Sequence, residues 1–213
     1  RELTVMLLVD VSGSRNFGTI SQMKRDMMAE VAATLAFSTI ANNDKVGVIF
    51  FSDKVEKFIP AKKGKTHVLH IIRELLSYEP SSRGTDMAQA LQYFSNAPKR
   101  HCTAFLISDF IGSGAIYKPL LIASNRHEVN AIQIYDRREA ELPNIGLVKF
   151  RDAETGNEVW IDTAIDTVRQ DYAQAWRSNQ DEIEQLFTRT GVSHVSVRTD
   201  EDYVKALMHL FRC

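Results

Sequence analysis

Four short aliphatic runs punctuate this chain, and three of them lead straight into an aspartate: Leu3 to Val9 before Asp10, Thr103 to Ser108 before Asp109, and Val129 to Tyr135 before Asp136. The fourth is Val46 to Phe51. Continuous apolar, β-branched runs without polar alternation belong to strands covered on both faces, as in a parallel sheet. Helical periodicity fills the intervals, at about Ser21 to Ile40, Thr66 to Ser77, Asp86 to Phe94, Ala115 to Arg126, Ala164 to Thr190 and Glu201 to Phe211. Strands that alternate with helices are joined by right-handed crossovers. The pattern therefore predicts an α/β fold: a three-layer α/β/α, doubly wound, mostly parallel sheet of Rossmann-like form. His194 to Arg198 alternates more, as expected nearer a sheet edge.

Two segments break this rhythm. Ser52-Asp53-Lys54 reads as a tight hairpin that makes Val55 to Ile59 an antiparallel edge strand closed by Pro60. Leu147 to Arg151 and Glu158 to Ile161, joined across Glu154-Thr155-Gly156-Asn157, read as a hairpin inserted over about 146–162, outside the core sheet. A chain of 213 residues suits one domain over 1–213 with a full core, and its opening at Arg1 rather than Met reads as a fragment of a longer protein.

Composition excludes several classes of function. With 26 basic and 27 acidic residues and no basic block, the chain lacks the electrostatic footprint of nucleic-acid binding. Its longest apolar runs, such as Val5 to Val9, fall far short of a membrane span. Cys102 and Cys213 form neither a disulfide framework nor a C-x-x-C pair, which favours a reducing, cytoplasmic setting. Cys102 is expected to pack as a small hydrophobe leading into a strand.

In doubly wound sheets, ligands sit beyond the carboxyl ends of the strands, where the strand order reverses. Asp10, Ser12 and Ser14 follow the first strand, with Gly13 allowing a turn between the serines. Thr85 lies in the loop Ser81 to Asp86, and Asp109 ends another buried strand. These oxygens suit a hard cation such as Mg²⁺, which prefers near-octahedral oxygen coordination at roughly 2.0 to 2.1 Å. Mn²⁺ or Ca²⁺ would draw on the same donors. The set leaves the ion incompletely neutralised, so its open position should attract an external carboxylate or phosphate.

Rival readings are weaker. Ser12 to Ser14 could merely cap the next helix, and Asp10 and Asp109 could merely bond loop amides, but neither role needs two aspartates at buried strand ends with a Gly-Thr-Asp loop between them. A phosphatase using Asp10 as nucleophile needs a second aspartate two residues on, where Ser12 stands. Gly13-x-x-x-x-Gly18 lacks the P-loop lysine, and Gly112-x-Gly114 lacks the third glycine of a dinucleotide fingerprint. His67 and His70 lie one helical turn apart without a third zinc ligand nearby. Phe50-Phe51 and Met27-Met28 read as core, and the charges after Ala164 as a solvated helix face.

The series Asp10-x-Ser12-x-Ser14, then Thr85, then Asp109, resembles the metal-ion-dependent adhesion site of von Willebrand factor A domains. More narrowly, the chain is similar over nearly its whole length to the bacterial domain-of-unknown-function family 58. That match is carried by Val9-Asp10-Val11-Ser12-Gly13-Ser14 with Phe17-Gly18, Gly84-Thr85-Asp86, Ile107-Ser108-Asp109-Phe110, and Asp136-x-Arg138-Glu139-x-Glu141-Leu142-Pro143 followed by Asp152-x-Glu154-Thr155-Gly156. Arg15 departs from it, standing where the family often has an apolar residue. The resemblance implies a von Willebrand factor A fold and a Mg²⁺ site that binds an acidic group of a protein partner without catalysis. It also implies that the partner is a MoxR-type AAA ATPase or a client that the ATPase remodels. Extracellular adhesion is the competing binding role, with the same metal chemistry.

Overall fold

A computed structural model describes residues 2–12, 18–82, 84–98, 100–111, 115–151 and 157–210, with the side chains of 18–22 and 151 excepted. Ser14 and its neighbours Gly13, Arg15 and Phe17 lie outside the described residues, as do Gly112, Gly114, Phe211 and the stretch Asp152 to Gly156.

The element order is β1 (Thr4–Asp10), α1 (Gly18–Ala41), β2 (Lys45–Phe51), β3 (Val55–Lys62), α2 (Lys65–Ser77), α3 (Met87–Asn96), β4 (Thr103–Ser108), α4 (Tyr117–Arg126), β5 (Glu128–Tyr135), α5 (Arg137–Ala140), β6 (Leu147–Arg151), β7 (Glu158–Asp162), α6 (Asp166–Thr190), β8 (Ser193–Arg198) and α7 (Tyr203–Leu210). Six strands form one sheet in the order β3-β2-β1-β4-β5-β8. All neighbours are parallel except β3, which runs antiparallel to β2 at the edge. The chain leaves β1 toward β2 on one side and returns to β4 on the other, so the order reverses between β1 and β4. Asp10 and Asp109 therefore follow the two strands that flank the crevice.

Period-two alternation along β1 feeds two separate cores. Leu7 and Val9 pack among Val31 and Leu35 of α1, Ile71 of α2 and Leu207 of α7. Met6 and Leu8 face the opposite way, onto Met87, Leu91 and Phe94 of α3, Leu120 of α4 and Phe187 of α6. Both layers are closed. Truncating a buried leucine such as Leu7 to alanine would cost about 2–5 kcal/mol, from lost burial plus the cavity left behind. A sheet sealed on both faces leaves the strand ends as the place for chemistry. No described helix is long and apolar enough to cross a membrane.

Three expectations change. The edge strand does not close at Pro60: β3 continues to Lys62, and the register shifts between the pairs Val46 with Lys62 and Val48 with Ile59. The irregularity absorbs a proline that cannot donate to the ladder. Gly47 sits beside it, where a Cβ would come within 2.8 Å of both the Ala61 nitrogen and the Ile59 carbonyl oxygen. The inserted hairpin forms its own two-stranded antiparallel sheet, β6 with β7, within the expected span, and only its second strand runs past Ile161, to Asp162. Finally, α5 is a four-residue helix that periodicity did not reveal, being too short to display any.

Candidate metal centre

Asp10 ends β1 with only 7% of its surface exposed, and the chain surrounds its carboxylate with donors. Oδ1 accepts from the Ser12 amide at 2.9 Å and from the Ser12 hydroxyl, while Oδ2 accepts from the Ser108 hydroxyl at 2.6 Å. Thr85 arrives from the loop before α3 and donates its hydroxyl to Ser12 Oγ at 2.6 Å. Burial pushes the Asp10 carboxyl up to about 6, and the nearby Asp109 charge adds to the rise, against the lowering effect of the serine hydrogen bonds.

Asp109 is held differently. Its Oδ1 accepts the Ile111 amide at 3.0 Å, and its Oδ2 accepts from the Lys24 ammonium at 2.8 Å. The backbone turns sharply here, because Phe110 adopts φ 58°, a left-handed conformation that a bulky residue rarely takes. Burial of Phe110 against Phe187, with ring centroids 5.2 Å apart, and its amide bond to Ser108 Oγ at 3.1 Å hold that turn. Buried Gln133 on β5 donates to the Asp109 carbonyl at 3.2 Å and accepts from Ser196 on β8 at 2.8 Å, so two strands steady the turn from behind.

Lys24 also bonds Glu139, whose other oxygen accepts the Asp136 amide at 2.8 Å. Asp136 reciprocates by accepting the Arg138 amide at 2.9 Å, completing a capping box at the start of α5. Burial alone would depress the Lys24 ammonium, but Asp109 and Glu139 together hold it above the ordinary lysine range.

The Thr85 loop has its own clamp. Glu56 on β3 accepts from the hydroxyls of Ser52 at 2.7 Å, Ser81 at 2.8 Å and Tyr78 at 3.2 Å, and from the amides of Ser81 at 3.1 Å and Ser82 at 3.3 Å. The Asp86 amide donates to the Ser52 carbonyl at 2.8 Å, which ties the loop to the hairpin between β2 and β3. Asp86 itself caps α3, accepting the Gln89 amide at 3.2 Å. Burial pushes the Glu56 carboxyl up, but its hydrogen bonds outweigh that and leave it below the ordinary glutamate range.

Four of the five expected ligands are thus placed at adjoining strand ends: Asp10, Ser12 and Thr85 in one hydrogen-bonded chain, with Asp109 close enough to perturb Asp10. The fifth, Ser14, lies outside the described residues. Neighbouring ligands of an octahedral ion at 2.0 to 2.1 Å sit about 2.9 Å apart, so the 2.6 Å between Ser12 Oγ and Thr85 Oγ1 fits adjacent positions around a hard cation. The donors are largely hydroxyls; among the described residues no three His, Cys, Asp or Glu side chains gather as a metal-holding group.

Sequence reasoning missed Ser108, Gln133, Glu56, Lys24 and Glu139. Only Glu139 carried a local signal, the Asp-x-x-Glu spacing of a capping box. Elsewhere, the histidine pair diverges: His67 Nε2 meets the Val46 carbonyl at 2.9 Å, while His70 faces Glu74. Cys102 is buried with its Sγ 3.4 Å from His127 Nδ1, and burial pushes its thiol up to about 12, far from the thiolate a nucleophile needs.

Residues 1–182 match the family described as "Protein of unknown function DUF58". An uncharacterized protein of Mycobacterium tuberculosis is 32% identical over 208 residues, which is 96% of this chain and 65% of that protein. The chain therefore spans about two thirds of that relative's length. Among solved structures, the conserved hypothetical protein BatB from Bacteroides thetaiotaomicron superposes with a TM-score of 0.60 at 17% identity, covering 99% of this chain and 97% of that one. An aerotolerance-related membrane protein from Bacteroides fragilis superposes with a TM-score of 0.61 at 17% identity and the same coverage. At that identity the likeness speaks for the fold alone.

Proposed function

Because this chain belongs to the DUF58 family and has the von Willebrand factor A-like fold, we propose that it is a divalent-metal-dependent protein-binding module. One observation carries the reading: the Ser12 and Thr85 hydroxyls, from loops 73 residues apart, meet at 2.6 Å beside two strand-end aspartates. A hydroxyl chain joining separate loops onto a buried carboxylate has no helix-capping purpose, and its oxygens suit a hard cation. Asp10, Ser12, Ser14, Thr85 and Asp109 are the residues that would hold Mg²⁺, with Mn²⁺ or Ca²⁺ as alternatives. The ion, when bound, supplies a Lewis-acidic position for a carboxylate of the partner.

The module spans 1–213 and works in the cytoplasm, with a MoxR-type AAA ATPase or its client as partner. That choice rests on family resemblance, not on the chemistry of the site. A binding role is favoured over hydrolysis. Asp10 is already engaged by three donors, and the position two residues on is a serine, which cannot protonate a leaving group at neutral pH.

Melting curves test this directly. Free Mg²⁺ or Mn²⁺ at a hundred times its Kd should stabilise the fold by about 2.7 kcal/mol, and Asp10→Ala should abolish the response. Co-purification with the ATPase should be lost in EDTA and in the same variant. Melting indifferent to Mg²⁺, Mn²⁺ and EDTA would overturn the metal site; Mg²⁺-dependent turnover of an aryl phosphate, lost in Asp10→Asn, would overturn the binding role.

A further inference from the structure

The charge at the site is not set by the candidate ligands alone. Asp10 and Asp109 bring two formal negative charges to a divalent ion, and that count leaves out a third charged group. Lys24 changes that balance. Its ammonium lies 2.8 Å from Asp109 Oδ2, its side chain is 13% exposed, and it also bonds Glu139. Any cation that draws on Asp109 shares that carboxylate with a resident positive charge one residue-width away. Like charges at such range, partly shielded from solvent, repel strongly.

We infer that Lys24 is an internal counter-cation that weakens divalent metal binding at Asp109. The inference rests on the metal reading above. Glu139 has the opposite role: it supplies the second negative charge that keeps Lys24 in place and offsets part of its field. A bond from α1 to both β4 and α5 spans sequence separations of 85 and 115 residues, so the ammonium is delivered to the site by the tertiary fold, and its reach is fixed by packing rather than by a flexible surface position.

The consequence has an unusual sign, since deleting a residue beside a metal site ordinarily weakens the site. Titration of the metal-free protein with Mn²⁺ by calorimetry should give at least about tenfold tighter binding for Lys24→Met than for the unaltered chain. Glu139→Gln, which removes a negative charge, should bind Mn²⁺ several-fold more weakly, and Lys24→Arg, which keeps the charge, should stay within about twofold of the unaltered chain. If Lys24 were merely a structural bridge, breaking it from either end would move affinity the same way. Weaker or unchanged binding by Lys24→Met, with the unaltered chain still binding, overturns the counter-cation and leaves the metal site standing. Should Lys24→Met fail to fold, Glu139→Gln decides, because unchanged or tighter binding there overturns the inference. Absence of Mn²⁺ binding by the unaltered chain overturns both readings together.

Discussion

The two aspartates of the crevice sit on neighbouring parallel strands, yet their surroundings differ in kind. Asp10 is sunk to 7% exposure, and its partners among the described residues are serine hydroxyls and one amide. Asp109 is more open and lies against the Lys24 ammonium. Burial favours the protonated acid of Asp10. One carboxylate is thus charged only at the expense of its surroundings, and the other has an ammonium in contact.

That contrast should be largest as a function of pH in metal-free protein. The Asp10 carboxyl stands at about 6 in the fold against an ordinary value of 3.8, so the folded state binds its proton more tightly than the unfolded state does. Its stabilising contribution is therefore complete below about pH 4 and is lost as pH rises through about 6. In EDTA, the stability difference between the unaltered protein and Asp10→Asn should shift by on the order of 2 kcal/mol across that window, in favour of the asparagine variant at the upper end. A difference that stays flat with pH would mean that Asp10 is compensated by something other than serines.

A smaller effect separates the supports of the two halves. Ser108→Ala removes the hydroxyl that both donates to Asp10 and receives the Phe110 amide, leaving a buried carboxylate oxygen and a buried amide in want of partners. Urea unfolding at pH 7 should show a loss of about 1–2 kcal/mol. Equal stability would show that the strained turn at Phe110 is held by its packing on Phe187 alone. The gentlest probe is the loop that brings Thr85. Glu56→Gln weakens its charge-assisted hydrogen bonds and should cost about 1 kcal/mol. Amide exchange should quicken at Ser81 and Ser82 while the Asp109 turn, braced by Gln133, stays protected; exchange that quickens equally at both would erase the distinction between them.

The strands and the turn from Asp10 to Ser12 were legible because both are local. A buried parallel strand declares itself as an uninterrupted aliphatic run, and Asp10, Ser12 and Gly13 announce a strand-end loop within a few residues of it. Asp109 could be added because it follows a buried strand whose place in a doubly wound sheet is constrained, and Thr85 because it stands in a Gly-Thr-Asp loop just before a helix. The continuation of β3 past Pro60 was not legible, since a bulge is a property of two strands in register and only one of them contains the proline.

Residue identity alone thus determined the sheet, its two covered faces and the aspartates at its strand ends, all of which follow from periodicity and from what ends a strand. Tertiary structure decided the electrostatics. Lys24 is one of two basic residues in α1, and nothing near it in sequence distinguishes it from its neighbour Arg25. Its partners come from β4 and α5, and Coulomb energy depends on distance and local dielectric, which a one-dimensional string does not contain.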